Sequence, residues 1–205
     1  MGTLMPWRLL PAREFRAMPW RNGGGTTWEI ARGRLDGVAD GEAEGGNWHW
    51  RFSLAEIAAD GPFSVFPHTD RWLVVVAGEG IALTVDGAAP RRLYRGDDIQ
   101  FPGEADIGCV LLAGPTRDLN LMVDRRVARL VPGGDERRIA AVEDGVTLLY
   151  ALEEVGLEIE TEVGTKVGAG RMVIAAGDAL MGGGVGAVIA QGRALWARVE
   201  RLAAR

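Results

Sequence analysis

Polar side chains capable of chemistry stand inside stretches that are otherwise apolar. Arg51 lies between Trp50 and Phe52 in "WHWRFSLAEI", and Arg71 opens "RWLVVV", the most apolar run in the chain. Asp118 and Asn120 share one parity of "RDLNLM" with Met122. A guanidinium or carboxylate in such surroundings loses hydration and requires a partner. Two arrangements meet that requirement. One is an internal network in which Arg51 or Arg71 pairs with Asp70, Glu56 or Asp118. The other is a ligand carboxylate, which the planar fork of an arginine grips through two parallel hydrogen bonds. In the second arrangement Asn22, Asn120 and Thr27 orient the rest of a small polar ligand.

Other chemistries find less support. "RNGGGTTWE" lacks the lysine of a Walker loop and runs into a strand pattern, not a helix. "GGGVGA" has dinucleotide-fingerprint spacing, but Gly192 interrupts the helix that should follow. His49, His68 and Cys109 are the only histidines and cysteine, so a three-histidine metal site cannot form within one chain. No EF-hand spacing occurs either. Neither a metal nor a cofactor is expected. There is no G-x-S-x-G, and Cys109 sits in the apolar "IGCVLLAG", where it reads as a buried structural thiol. No catalytic residue is assigned.

The elements that position these groups read as strands. Trp48, Trp50, Phe52 and Leu54 alternate with His49, Arg51 and Ser53, a period of two. "RWLVVVAG" is a run suited to burial on both faces, and "GIALTVDG" follows it as a hairpin. "GDDIQFPG", "IGCVLLAGP" and "RDLNLMV" add further strands. Residues 33–47 are acidic and glycine-rich and read as a long surface loop. A short helical turn is expected near Arg13 to Ala17. The charged stretch at 124–138, broken by Pro-Gly-Gly, divides the chain into halves, and "GVTLLYAL", "LEIETEV", "RMVIAAGDALMG" and "GAVIAQG" continue the strand pattern. "RALWARVERL" reads as a strand, although its apolar spacing also fits a helix. Short strands separated by glycines indicate a sandwich or barrel. An internal repeat has two rival registers: Gly78, Gly80 and Gly87 recur 90 residues on, whereas Gly96-Asp97 recurs as Gly177-Asp178.

The whole chain sets the bounds. Its 205 residues are 47% hydrophobic and 25% charged, an ordinary globular composition. A formal net charge of −5 and no basic block argue against nucleic acid and against anionic membranes. A single cysteine excludes an intrachain disulfide. The N-terminal residues lack a signal-peptide pattern and no run of 18 apolar residues exists, so a cytoplasmic location is expected.

"PWRNGGGTTWEI", "WRFSLAEIAADGPFSVFPHTDRWLVVVAGEGIAL" and "GPTRDLNLMVDRR" resemble the HutD/Ves family over residues 5–126. The resemblance implies an all-β bicupin of two cupin-like β-barrel or jelly-roll halves. Residues 1–126 form the pocket-bearing half and 127–205 a degenerate second half. HutD-like members accompany histidine-utilisation genes and resemble regulators that restrain the pathway, with an intermediate such as N-formylglutamate as ligand. Ves-like members are linked to stress responses. Matched by motif, Asn22, Arg71, Asp118 and Asn120 fall at the family's pocket, and Arg21 stands where many relatives have lysine. Metal cupins carry a histidine-rich first motif, but "GPFSVFPHTDRWLVVVAGEG" offers one histidine and no glutamate at that spacing.

The resulting expectation is a metal-free protein that binds a small carboxylate-bearing metabolite through Asn22, Thr27, Arg51, Arg71, Asp118 and Asn120, in a regulatory role. The alternatives are a metal-independent isomerase-type cupin enzyme, using an Asp or His as base, and an oligomeric scaffold with an empty pocket. A homodimer is expected, because "WRFSLAEI" offers an apolar face and edge strands need cover.

Overall fold

A computed structural model of the chain describes residues 7–35, 48–134, 136–163, 166–184 and 186–203. Most of the glycine-rich loop expected at 33–47 lies outside the described residues. In chain order the first strands are β1 (Arg8–Leu10), β2 (Arg16–Pro19), β3 (Gly25–Gly33), β4 (Trp50–Ile57), β5 (Gly61–Pro62) and β6 (Thr69–Ala77). Then come β7 (Ile81–Val85), β8 (Arg91–Leu93), β9 (Asp98–Pro102), β10 (Ile107–Leu111) and β11 (Thr116–Asp124). The later strands are β12 (Ala128–Pro132), β13 (Arg138–Ala140), β14 (Gly145–Ala151), β15 (Val155–Val163) and β16 (Lys166–Ile174). β17 (Ala179–Gly182), β18 (Ala187–Gln191) and β19 (Ala194–Arg201) complete the set. Among the described residues no helix is long and apolar enough to cross a membrane.

The strands form two compact units, each of two antiparallel sheets. One unit combines the sheet β2-β3-β4-β11-β6-β9 with the sheet β5-β10-β7-β8. Its core joins Ile57, Leu73 and Val75 of the first sheet to Ile81, Leu83, Ile107 and Cys109 of the second. The other unit combines β1-β17-β14-β19-β12 with β13-β18-β15-β16, around Leu149, Leu157, Leu180, Val188 and Trp196. The pairing order of β5-β10-β7-β8 is repeated by β13-β18-β15-β16, and β4-β11-β6-β9 by β12-β19-β14-β17. The halves therefore share one topology.

A shared turn fixes which repeat register is correct. Gly96 donates its N–H to the Val75 carbonyl, Val75 donates back to Asp97, and Asp97 donates to Tyr94. In the second unit Gly177 donates to Ala151, Ala151 to Asp178, and Asp178 to Ala175. The aspartate side chains cap their turns alike, accepting from the N–H of Tyr94 and of Ala175. Gly96 and Gly177 both take positive φ, 95° and 88°, which the turn requires of a residue without Cβ. Gly96-Asp97 therefore matches Gly177-Asp178, and the rival register is a coincidence of glycines.

Several expectations need correction. The division of contacts falls between Val127 and Ala128, but the chain's first segment does not join the first half. β1 pairs antiparallel with β17, and the N–H of Ala12 donates to Asp178 at 2.8 Å, so residues 7–14 belong with the second unit. The expected helical turn is a 3-10 turn at Ala12–Glu14, and Arg16 already begins β2. The last segment needs no correction: it is a strand, β19, as read from the sequence. Trp50 (1% exposed), Phe52 and Leu54 are buried within the single chain, so the apolar face that argued for a homodimer is not free to form one.

Candidate functional site

Strand register gathers the polar residues on one face of the six-stranded sheet. Arg51 on β4, Met122 on β11, Arg71 on β6 and Phe101 on β9 stand side by side in one row. Two residues along, Ser53 stands beside Asn120 and Leu73; two further, Thr27, Ala55, Asp118 and Val75 align. Alternate residues of a strand share a face, so these rows form a continuous surface. The surface is apolar where Leu73, Val75 and Ile57 meet the opposing sheet, and polar where a cavity of about 490 Å³ opens. Asn22, Thr27, Arg51, Arg71, Asp118 and Asn120 all line that cavity.

The glycine-rich stretch shapes its rim. Gly23 takes φ 71°, and the Asn22 carbonyl oxygen Oδ1 accepts the Gly24 N–H at 3.0 Å, a tight Asx-type turn between β2 and β3. Gly25 passes so close to β4 that a Cβ there would collide with the Glu56 carbonyl oxygen. Asn22 is exposed at this rim. Thr27 lies deeper, its Oγ1 accepting the indole N–H of Trp20 at 2.8 Å.

The two arginines differ in their partners. Arg51 Nε donates to Glu29 Oε2 at 2.9 Å, and Glu29 also faces Arg32 at 3.6 Å. Arg51 therefore belongs to an internal network, with a partner that the sequence reading does not include. Asp70 and Glu56, which it does include, pair with Arg125 and Arg117. Among the described residues Arg71 has no such partner. It is 5% exposed, its Nε makes no hydrogen bond, and Nη1 makes only a long one, 3.4 Å, to the Ser64 carbonyl. Its guanidinium carbon lies 5.4, 5.6 and 4.9 Å from the ring centres of Phe63, Phe66 and Phe101. Rings at that range stabilise a cation but leave its N–H donors unused. Loss of hydration lowers the Arg71 pKa to about 10, opposed by Asp118 and aided by Arg51, so the group is charged at neutral pH.

Asp118 is 1% exposed and its Oδ1 has no hydrogen-bond partner; Oδ1 of Asn120, 7% exposed, has none either. Burial pushes the Asp118 carboxyl up to about 7, with Arg71 pulling the other way. Cys109, on the facing sheet, is pushed up to about 12 by burial and then by Asp118 and Asp60, which leaves it an inert thiol at neutral pH. Among the described residues no three His, Cys, Asp or Glu side chains gather as a metal-binding group. Among the described lining residues Asp118 is the single carboxylate, and it shares the cavity with arginines, a donor set unsuited to a cation. Glu29, Trp20 and the phenylalanine cage escape the sequence reading. Glu29 shares parity with Thr27 in "TTWEIAR", a usable signal, whereas Phe63 and Phe66 lie outside any strand pattern.

Among its described residues the second unit carries no equivalent set. Matching Val75 to Ala151 through the shared turn puts Thr147 in place of Arg71 on β14. The registers of β11 and β19 then put Ala194 and Trp196 in place of Asp118 and Asn120. Trp196 is packed into that unit's core with Trp7 and Leu9.

Three comparisons set this architecture among known proteins. The chain is 42% identical over 115 residues to an uncharacterized 21.2 kDa protein in the hutC 3' region of Pseudomonas putida, covering 56% of this chain and 57% of that protein. It is 34% identical over 116 residues to protein Ves of Citrobacter koseri, covering 55% and 56%. The chain thus spans little more than half the length of the curated relatives it matches. The structure of HutD from Pseudomonas fluorescens SBW25, in a formate condition, superposes with a TM-score of 0.77 at 27% identity, covering 97% of this chain and all of that one. The fold is an all-β bicupin. The HutD family model matches residues 12–192, across both halves and the whole of the cavity, and the chain belongs to the HutD family.

Proposed function

We propose that this protein is a metal-free binding protein for a small carboxylate-bearing metabolite, acting in regulation. The observation that carries the reading is Arg71: a buried, charged guanidinium in a cavity wall, with no ion pair among the described residues and Nε unbonded. Such a group leaves hydrogen-bonding capacity that a ligand carboxylate fills with its two oxygens. Arg51 supplies positive potential from the same row. Histidine utilisation is the pathway we favour, supported by HutD membership and by a relative described from the hutC 3' region. N-formylglutamate is then the leading ligand, and the cytoplasm the location.

The test is calorimetric titration of N-formylglutamate, glutamate and urocanate into the wild type and Arg71→Lys. Lysine keeps the charge and loses the fork, so binding should weaken by roughly 1.5–3 kcal/mol, the scale of a hydrogen bond to a charged group. Equal affinity for both proteins removes Arg71 as the anchor. No binding of any acid at millimolar concentration overturns the carboxylate reading.

A second reading, a metal-independent isomerase-type enzyme, is favoured by one feature. A carboxyl titrating near 7 inside a cavity is suited to general-base work at neutral pH. Turnover of any acid in a metabolite panel, lost in Asp118→Asn, would support it over binding alone.

A further inference from the structure

We propose that Asp118, with Asn120 beside it on β11, makes the cavity selective for acids that also carry a hydrogen-bond donor, an N–H or an O–H. The inference rests on the carboxylate reading of Arg71 and adds a second requirement to it.

Donors and acceptors do not balance at this end of the cavity. Oδ1 of Asp118 and Oδ1 of Asn120 are buried acceptors on one face of one strand, and neither has a donor. The donors that stand nearest in the sheet are directed elsewhere, except Arg71 Nε, which has no partner and is the donor that the ligand carboxylate takes. Arg51 Nε donates to Glu29, the Trp20 indole N–H to Thr27, and the Ser53 hydroxyl to the backbone carbonyl of Asn120. Arg71 reaches the Ser64 carbonyl through Nη1. An ionised carboxylate accepts at both oxygens and donates from neither.

A plain carboxylate docked on Arg71 makes this imbalance worse. It brings two more acceptors and a second negative charge into the cavity that holds Asp118, and like charges so placed disfavour each other. An acid with an amide N–H, an amine or a hydroxyl brings the donor that the Asp118 end lacks. A site built to hydrogen-bond such a group discriminates strongly against the analogue without it, because its own buried polar atoms are then left unpaired. Selectivity therefore falls between substituted acids, such as hydroxy and N-acylamino acids, and unsubstituted ones.

The experiment uses dianions matched in length and charge, titrated calorimetrically at pH 8. Glutarate has no donor, 2-hydroxyglutarate has an O–H, and N-formylglutamate has an N–H. N-formyl-N-methylglutamate keeps the carboxylates and formyl group but loses the N–H. The wild type should bind 2-hydroxyglutarate and N-formylglutamate at least tenfold more tightly than glutarate, and N-methylation should cancel the gain. Asp118→Leu, of similar bulk and without an acceptor, should reduce the ratio to within twofold. If that variant does not fold, the N–H and N-methyl pair measured on the wild type still decides the matter. Equal binding of all four acids by the wild type overturns this proposal and leaves the Arg71 reading standing. A preference that persists in Asp118→Leu overturns the assignment to Asp118. Binding of none of the four defeats the Arg71 reading and this proposal with it.

Discussion

Replacing Asp118 by asparagine isolates the energetic consequence of a buried carboxyl with an unpaired oxygen. In the folded chain this group titrates near 7 instead of 3.8, because burial disfavours its charge more than Arg71 favours it. Between those two values the native chain holds a proton that the unfolded chain has released. The stability contributed by this proton is full below 3.8 and is lost as the pH rises through 7. Over the accessible window from pH 5 to pH 8 the loss is about 3 kcal/mol, taking about 1.4 kcal/mol per pH unit. The replacement amide does not titrate, so the variant should gain about 3 kcal/mol on the wild type across that window. Its two interacting neighbours stay constant there. Arg71 is charged up to about 10 and the Cys109 thiol is neutral up to about 12. The assay is urea denaturation followed by tryptophan fluorescence at pH 5, 6, 7 and 8. Five of the tryptophans, at 20, 28, 48, 50 and 72, lie in the first unit and weight the signal toward it. Curves for the two proteins that run parallel with pH would mean that Asp118 ionises in place at little cost, and the account of its burial would be wrong.

Gly25→Ala should destabilise the chain by roughly 2 kcal/mol or more, since the added methyl meets the Glu56 carbonyl, which is backbone and cannot yield; an unchanged thermal midpoint would contradict the close approach of β3 to β4. Glu29→Gln should cost roughly 1.5–3 kcal/mol by removing the charged acceptor of Arg51 Nε, read from the same urea titrations at pH 7. Any acid that binds should do so with one site per chain, because the second unit carries Thr147, Ala194 and Trp196 where the first carries Arg71, Asp118 and Asn120; calorimetry giving two equivalent sites per chain would refute that correspondence.

How much of this is legible in the sequence depends on whether a signal is local. Arg71, Asp118 and Asn120 stand out because a charge or amide inside an apolar strand conflicts with its neighbours, and the conflict is visible within six residues. The strands themselves follow from alternation. Arg51 stands out for the same reason, but its partner Glu29 sits on β3, 22 residues away. The register between β3 and β4 also shifts between Glu29 and Ala31, so counting parity through the strand does not predict which residues meet. β1 gives no such signal. It is three residues long, lies between Pro6 and Pro11, and is held by β17, whose residues come about 170 positions later. Nothing in so short a segment announces so distant a partner.

The internal repeat shows a different limit. Val75 corresponds to Ala151, an offset of 76, whereas Gly96 corresponds to Gly177, an offset of 81. The difference is five residues, and it arises between β6 and β9 in one half and β14 and β17 in the other, where β15 and β16 run to nine residues each against five and three in β7 and β8. No single offset aligns the halves, so a search for a fixed period meets competing matches among the glycines. Sheet topology tolerates this, because a longer hairpin extends past its neighbours without changing which strands pair. The central sheet positions kept their register and changed their chemistry instead. One barrel holds a buried arginine, an aspartate and an asparagine against a cavity. The other puts small or aromatic side chains at the matching positions and packs Trp196 with Trp7 and Leu9. A buried charged set destabilises a fold unless something compensates for it. Its presence in one half beside its absence from the other, on the same topology, argues that packing alone does not call for these residues.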